Sequence, residues 1–107
     1  MTSRFGVVWS PQSIGDLELL HGQIAQHDSE AANRYLANVF EAVELLRDHP
    51  RSGPALPEVP LEGEFRSLVA RKHRVIYRVD TRMIRIYRIW DCRRDPAGLW
   101  LSLESAE

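Results

Sequence analysis

Apolar positions recur along this chain with two different periods, and the change from one to the other divides it. Phe5-Gly6-Val7-Val8-Trp9 is a short apolar run that stops at Ser10-Pro11. A serine there suits a helix cap and a proline suits the first helical turn, so a strand hands over directly to a helix. Ile14, Leu17, His21 and Ile24 then recur at helical spacing, with Leu20 widening the stripe, until His27-Asp28-Ser29 interrupts it. Asp28 or Ser29 caps a second helix whose apolar face is Ala32, Tyr35, Leu36, Val39, Phe40, Val43 and Leu46, and Pro50 ends it. Two amphipathic helices in succession predict a helical hairpin.

From Pro50 to Glu64 four prolines and two glycines (Pro50, Gly53, Pro54, Pro57, Pro60, Gly63) exclude a regular helix or a central strand and predict one long loop. After it the period falls to two. Phe65–Arg71, Arg74–Val79 and Met83–Trp90 read as strands, with Asp80-Thr81-Arg82 turning the second into the third. Leu99, Trp100, Leu101 and Leu103 give the tail enough apolar surface to pack as a last short strand or helix, with the final three residues frayed. The expectation is an α+β domain: an N-terminal strand, a helical hairpin, and a three- to four-stranded antiparallel sheet with the helices on one face.

If Thr81 and Arg82 are the loop residues of the last hairpin, Val79 faces Ile84, Tyr77 faces Ile86, Val75 faces Arg88 and His73 faces Trp90. Alternation puts Val75, Tyr77, Val79, Ile84 and Ile86 on one side, and Arg74, Ile76, Arg78, Asp80, Met83, Arg85, Tyr87 and Ile89 on the other. The helices should cover the apolar side and leave the basic side open. Arg78 opposite Arg85 is repulsive in an isolated hairpin, which points to an acidic partner group.

Composition changes this picture in one respect. The 107 residues carry a net charge of −1, but residues 1–62 carry −5 and residues 63–107 carry +4, with ten of the fourteen basic residues between Phe65 and Pro96. Such polarity implies an anionic partner for the second half. A pI near 6.4 argues against a module that lives on nucleic acid. No run approaches the roughly 18 apolar residues of a membrane span, the N-terminus lacks a signal-peptide core, and a single cysteine, Cys92, makes no internal disulfide, so a cytoplasmic chain is expected. The length suggests one core and one site. His21, His27, His49 and His73 have no paired spacing, and Glu41, Glu44 and Asp48 fall on or beside the polar side of the second helix, so neither metal nor cofactor is expected.

Taken together, the first strand, Trp9-Ser10-Pro11, the hairpin with Ala31-Ala32, Leu46 through Pro50 to Gly53, Arg66-Ser67-Leu68, Arg74 to Val79, and Ile84 through Ile89 to Arg93-Arg94 carry a family pattern. In order and spacing it resembles the ParE/RelE superfamily of toxins from bacterial type II toxin–antitoxin (plasmid-stabilisation) operons, and within it the ParE branch. The resemblance implies growth inhibition relieved by a cognate antitoxin that lays a helix or extended segment across the toxin. ParE-like members are associated with poisoning DNA gyrase; RelE-like members resemble ribosome-dependent endoribonucleases that cut messenger RNA.

RNA cleavage by 2′-hydroxyl attack needs a base, an acid and cations on the phosphate. The resemblance puts Arg74 and Arg94 (or Arg93) where RelE-like enzymes hold phosphate, and Arg66 near one of their strand cations. Leu68 stands where a catalytic basic residue is expected, and Trp100 at best matches a tyrosine. An indole does not exchange a proton usefully at neutral pH. His73 is the substitute by pKa, but in a regular strand it points away from Arg74 unless a bulge intervenes. The conditional nuclease set is therefore Arg66, His73, Arg74 and Arg94. The expected antitoxin- or target-binding set is Arg74, Arg78, Arg85, Tyr87, Arg93 and Arg94, with gyrase favoured over the ribosome.

Overall fold

The computed structural model describes residues 4–56, 65–94 and 96–106. Its elements run β1 (Gly6–Trp9), α1 (Pro11–Ala25), α2 (Ser29–Asp48), β2 (Phe65–Ala70), β3 (His73–Val79), β4 (Met83–Asp91) and α3 (Pro96–Ala106). Ser10 caps α1, its side chain accepting from Ser13 N–H, and Pro11 opens the helix. Asp28 caps α2 by accepting from the N–H groups of Glu30 and Ala31. Of the proline-rich segment, Gly53 to Leu56 runs along β2, with Ala55 bridging Arg66 and Leu56 N–H donating to Phe65. Pro57, Pro60 and Gly63 lie outside the described residues.

The sheet order is β1-β4-β3-β2. β2, β3 and β4 are antiparallel neighbours, and β1 joins β4 in parallel. The α+β class stands, and the parallel edge follows from the connection: the helical hairpin lies between β1 and the other strands, long enough for a crossover. Val79↔Ile84 and Tyr77↔Ile86 pair as the turn residues predict, but the ladder then slips by one, giving Ile76↔Arg88, Val75↔Ile89, Arg74↔Trp90 and His73↔Asp91. Tyr87 is the extra residue of a bulge. The expected pairs Val75 with Arg88 and His73 with Trp90 are corrected accordingly, and Ile89 moves to the helix side.

The helices cover the side predicted for them. Leu17, Tyr35, Val39, Val43 and Leu46 pack on Ala70, Val75, Tyr77, Ile84, Ile86 and Ile89. The opposite side is not left open, and the expectation of one core is corrected. Leu99 and Leu103 of α3, with Leu56, bury Ile76, Phe65 and Trp90 in a second apolar cluster, against which Tyr87 packs. Ile76 and, once the bulge has moved it to this face, Trp90 explain it: two large apolar side chains there would each cost about 2 kcal/mol if left in water. The tail supplies the cover as a helix.

Candidate partner-binding surface

Because α3 covers the middle of that face, the basic residues collect at its two ends. At the hairpin end Phe65, Arg78 and Arg85 lie side by side on neighbouring strands. The Arg78 guanidinium sits 5.0 Å from the centroid of the Phe65 ring, and Phe65 meets Tyr87 edge-on at 5.1 Å. Arg78, Val79, Asp80, Arg85 and Tyr87 together line a recess of about 170 Å³. Arg85 Nε is 3.5 Å from Asp80 Oδ2. The Thr81 N–H donates to the Asp80 carboxylate, and this bond, with Arg85 and Arg78 nearby, holds its pKa below the usual range. The recess thus presents two neighbouring guanidiniums and an aromatic floor, with one internal carboxylate beside them. A carboxylate from a partner suits the guanidiniums, and an apolar side chain suits the rings.

At the other end Arg74 lies across from Trp90, and Arg94 stacks on the Trp90 indole at 4.0 Å from its centroid. Trp90 holds these two arginines in one neighbourhood. Arg93 turns to the Asp91 carboxylate, at 2.9 and 3.1 Å, and keeps that carboxyl well below its ordinary pKa. Arg74 and Arg94 are therefore brought together, while Arg93 is anchored to its own strand.

The remaining nuclease candidates are elsewhere. Arg66 pairs with Tyr77 on the helix side, and its guanidinium donates to the carbonyls of Gly53 at 2.7 Å and Arg51 at 3.2 Å. Leu68 packs against the main core. His73 is buried on the helix side, edge-on to Tyr35 at 5.3 Å, and burial lowers its pKa, so the neutral ring is favoured. The only bulge in the β3–β4 ladder lies at Tyr87, and it does not bring His73 to the side of Arg74. The Trp100 side chain falls outside the described residues.

A structural ion pair went unpredicted. Asp16 of α1 accepts from Arg88 Nε and Nη2, both at 2.8 Å, and from the Ile89 N–H at 2.9 Å, and Arg88 also bonds the Ser102 hydroxyl of α3. β1 stops at Trp9 opposite Ile86 while β4 continues to Asp91, so the Asp16 carboxylate satisfies part of the strand edge that β1 leaves uncovered. Alternation from the turn placed Arg88 opposite Val75; the bulge places it opposite Ile76 and beside Ser102 of α3, so the Asp16 partnership depends on a register shift that the sequence pattern does not reveal.

A family model described as the ParE toxin of the type II toxin–antitoxin system parDE matches residues 7–96. The chain belongs to the ParE toxin family. It is a toxin of the type II toxin–antitoxin class within the ParE/RelE superfamily. Solved structures agree with the ParE fold. A chain of the chromosomal ParDE system from P. aeruginosa superposes with a TM-score of 0.69 at 20% identity, covering 84% of this chain and 98% of that one. The toxin–antitoxin complex RelBE2 from Mycobacterium tuberculosis gives 0.60 at 26% identity, with 82% and 98% covered. The YoeB dimer from Staphylococcus aureus gives 0.59 at 22%, with 82% and 97% covered. No curated protein matches the sequence.

Proposed function

We propose that this ParE-family toxin poisons DNA gyrase and that its cognate antitoxin silences it by placing an acidic and apolar segment over the recess of Arg78, Arg85 and Tyr87. The observation that carries the choice of target is the dispersal of the groups RNA cleavage would need. Arg74 and Arg94 retain the cationic part of such a site. The candidates for proton transfer that the sequence offered stand away from them: Leu68 packs against the core, Arg66 is bound to loop carbonyls, and His73 is neutral and buried behind the sheet. Placement of a general base within hydrogen-bond reach comes before its pKa, and here the placement is unfavourable. The solved neighbours described as toxin–antitoxin systems support the antitoxin partner. On this reading the site of action is the cytoplasm, and the toxin needs neither metal nor cofactor.

The reading is tested with purified toxin in a translation mixture. Ribosome-bound messenger RNA should stay intact, and a His73→Gln variant that folds should arrest growth as the parent does. Cleavage of that message by the parent, falling roughly 10²-fold in His73→Gln, would move the assignment to the ribosome-dependent nuclease.

A further inference from the structure

On the helix side of the sheet, beside the turn between β2 and β3, lies a second cleft with a different chemistry. It has a volume of about 370 Å³ and is lined by Ile24, Ala31, Arg34, Tyr35, Asn38, Arg71, Lys72 and His73. Three of these side chains are cationic and none is acidic. Tyr35 and His73 form its floor at 6% and 9% exposure, and among the described residues the Tyr35 hydroxyl and His73 Nδ1 are buried without a hydrogen-bond partner. A buried polar group left unsatisfied costs about 1 to 3 kcal/mol, so two side by side in one cleft call for a ligand that bonds both.

The rim points the same way. Arg71 sits in the two-residue turn between β2 and β3 with φ at 58°, a conformation in which glycine or asparagine is favoured. Arg34 projects from α2 with 63% of its side chain exposed, 4.0 Å from Glu30. The nearby Asp91 carboxylate is engaged by Arg93, though its charge still reaches the Tyr35 and His73 floor, and Arg71 and Lys72 complete the basic rim beside the loosely paired Arg34.

We propose that this cleft binds a phosphate monoester, its phosphate oxygens accepting from the Tyr35 hydroxyl and the His73 ring and facing Arg34, Arg71 and Lys72. A doubly charged oxyanion matches three cations and two floor donors better than a single carboxylate does. The volume exceeds what a bare phosphate fills, and Ile24, Ala31 and Asn38 offer the remainder an apolar wall and one amide. Burial and the charges of Asp91 and Asp16 push the Tyr35 phenol up to about 12, so it stays a donor at neutral pH. Burial, Arg93 and Lys72 lower the His73 pKa, and a bound anion acts in the opposite direction. The site lies across the sheet from the Arg78/Arg85 recess, so it is independent of the gyrase assignment.

The experiment follows the His73 imidazole resonances of the intact chain during titration with inorganic phosphate and, separately, with adenosine 5′-monophosphate, against chloride at matched ionic strength. The expected result is a saturable shift with millimolar or tighter affinity and an upward move of the His73 pKa. Tyr35→Phe keeps the ring and should weaken binding about ten-fold. Arg34→Ala, an exposed change that leaves the core intact, should weaken it several-fold. Tighter binding of the nucleotide identifies the apolar wall as part of the site, and equal binding of both ligands identifies a site that reads the phosphate alone. No saturable shift with either ligand, or binding indifferent to both substitutions, would overturn the proposal.

Discussion

Replacing Asp16 by alanine tests how the three layers of this domain are joined. The carboxylate takes two bonds from Arg88 and one from the Ile89 N–H, all within 2.9 Å, and the paired side chains are only 16% and 18% exposed. Asp16→Ala leaves the Arg88 charge largely buried against the Ser102 hydroxyl and the Trp90 ring, with no carboxylate from α1, and it uncaps the Ile89 N–H. Breaking a buried pair from one side costs about 3 to 5 kcal/mol, and the lower end applies because neither group is fully buried. A loss of about 3 kcal/mol should lower the urea midpoint by about 2 M for a slope near 1.5 kcal/mol/M. The melting temperature should fall by roughly 12–20 °C in a domain of this size. Replacing both partners, as Asp16→Leu/Arg88→Met, removes the charge problem and should recover most of the loss. A single-variant cost below about 1 kcal/mol, or a double variant as unstable as the sum of the singles, would refute a coupled buried pair.

The recess predicts that Arg78→Ala/Arg85→Ala weakens antitoxin binding by about 2 kcal/mol or more in calorimetry, while Arg82→Ala, whose guanidinium lies over the Phe5 ring outside the recess lining, costs far less. At Gly53 a β-carbon would stand 2.5 Å from the Ser67 carbonyl oxygen and 2.7 Å from the Tyr77 hydroxyl, so Gly53→Ala should destabilise by about 2 kcal/mol in thermal unfolding. At Gly15 and Gly22 of α1 a β-carbon meets nothing within 4 Å, and alanine there should stabilise by up to about 1 kcal/mol each. The His73 pKa is lowered by folding, so its contribution to stability is complete above the unfolded value of 6.5 and is lost as pH falls through that value toward the folded one. Urea midpoints should therefore drop on acidification below 6.5, against the Asp91, Lys72, Arg93 and Tyr35 groups around the ring. That drop should be absent from His73→Phe.

The parts of the fold read from local rules were legible because a single short segment decides each of them. Ser10-Pro11, Asp28 and the α2 stripe set the helical hairpin, and the Asp80-Thr81-Arg82 turn set the register as far as Tyr77 and Ile86. The Tyr87 bulge was not legible, since one extra residue on a strand leaves the alternation plausible in either register. It also decided which way Arg88 and Trp90 point. The covering of Ile76 by α3 depends on a contact between distant segments, although Leu99 and Leu103 announced that the tail had apolar surface to bury. For the candidate surface, the pairing of Arg78 with Arg85 followed from the turn, whereas the split of the basic face into two ends needed the path of α3. The separation of Arg66 and His73 from Arg74 was foreseeable for His73 by alternation. For Arg66 it required the antiparallel partner of β2, which the loop between α2 and β2 hides.

The central claim is the target, and the most direct measurement is DNA supercoiling by purified gyrase with increasing amounts of this toxin, followed by detection of DNA covalently trapped on the enzyme. The account predicts dose-dependent loss of supercoiling or accumulation of cleaved DNA, reversed when the cognate antitoxin is added at equimolar amount. Undisturbed supercoiling with no trapped DNA, from a preparation that arrests growth and cuts ribosome-bound message, would contradict it.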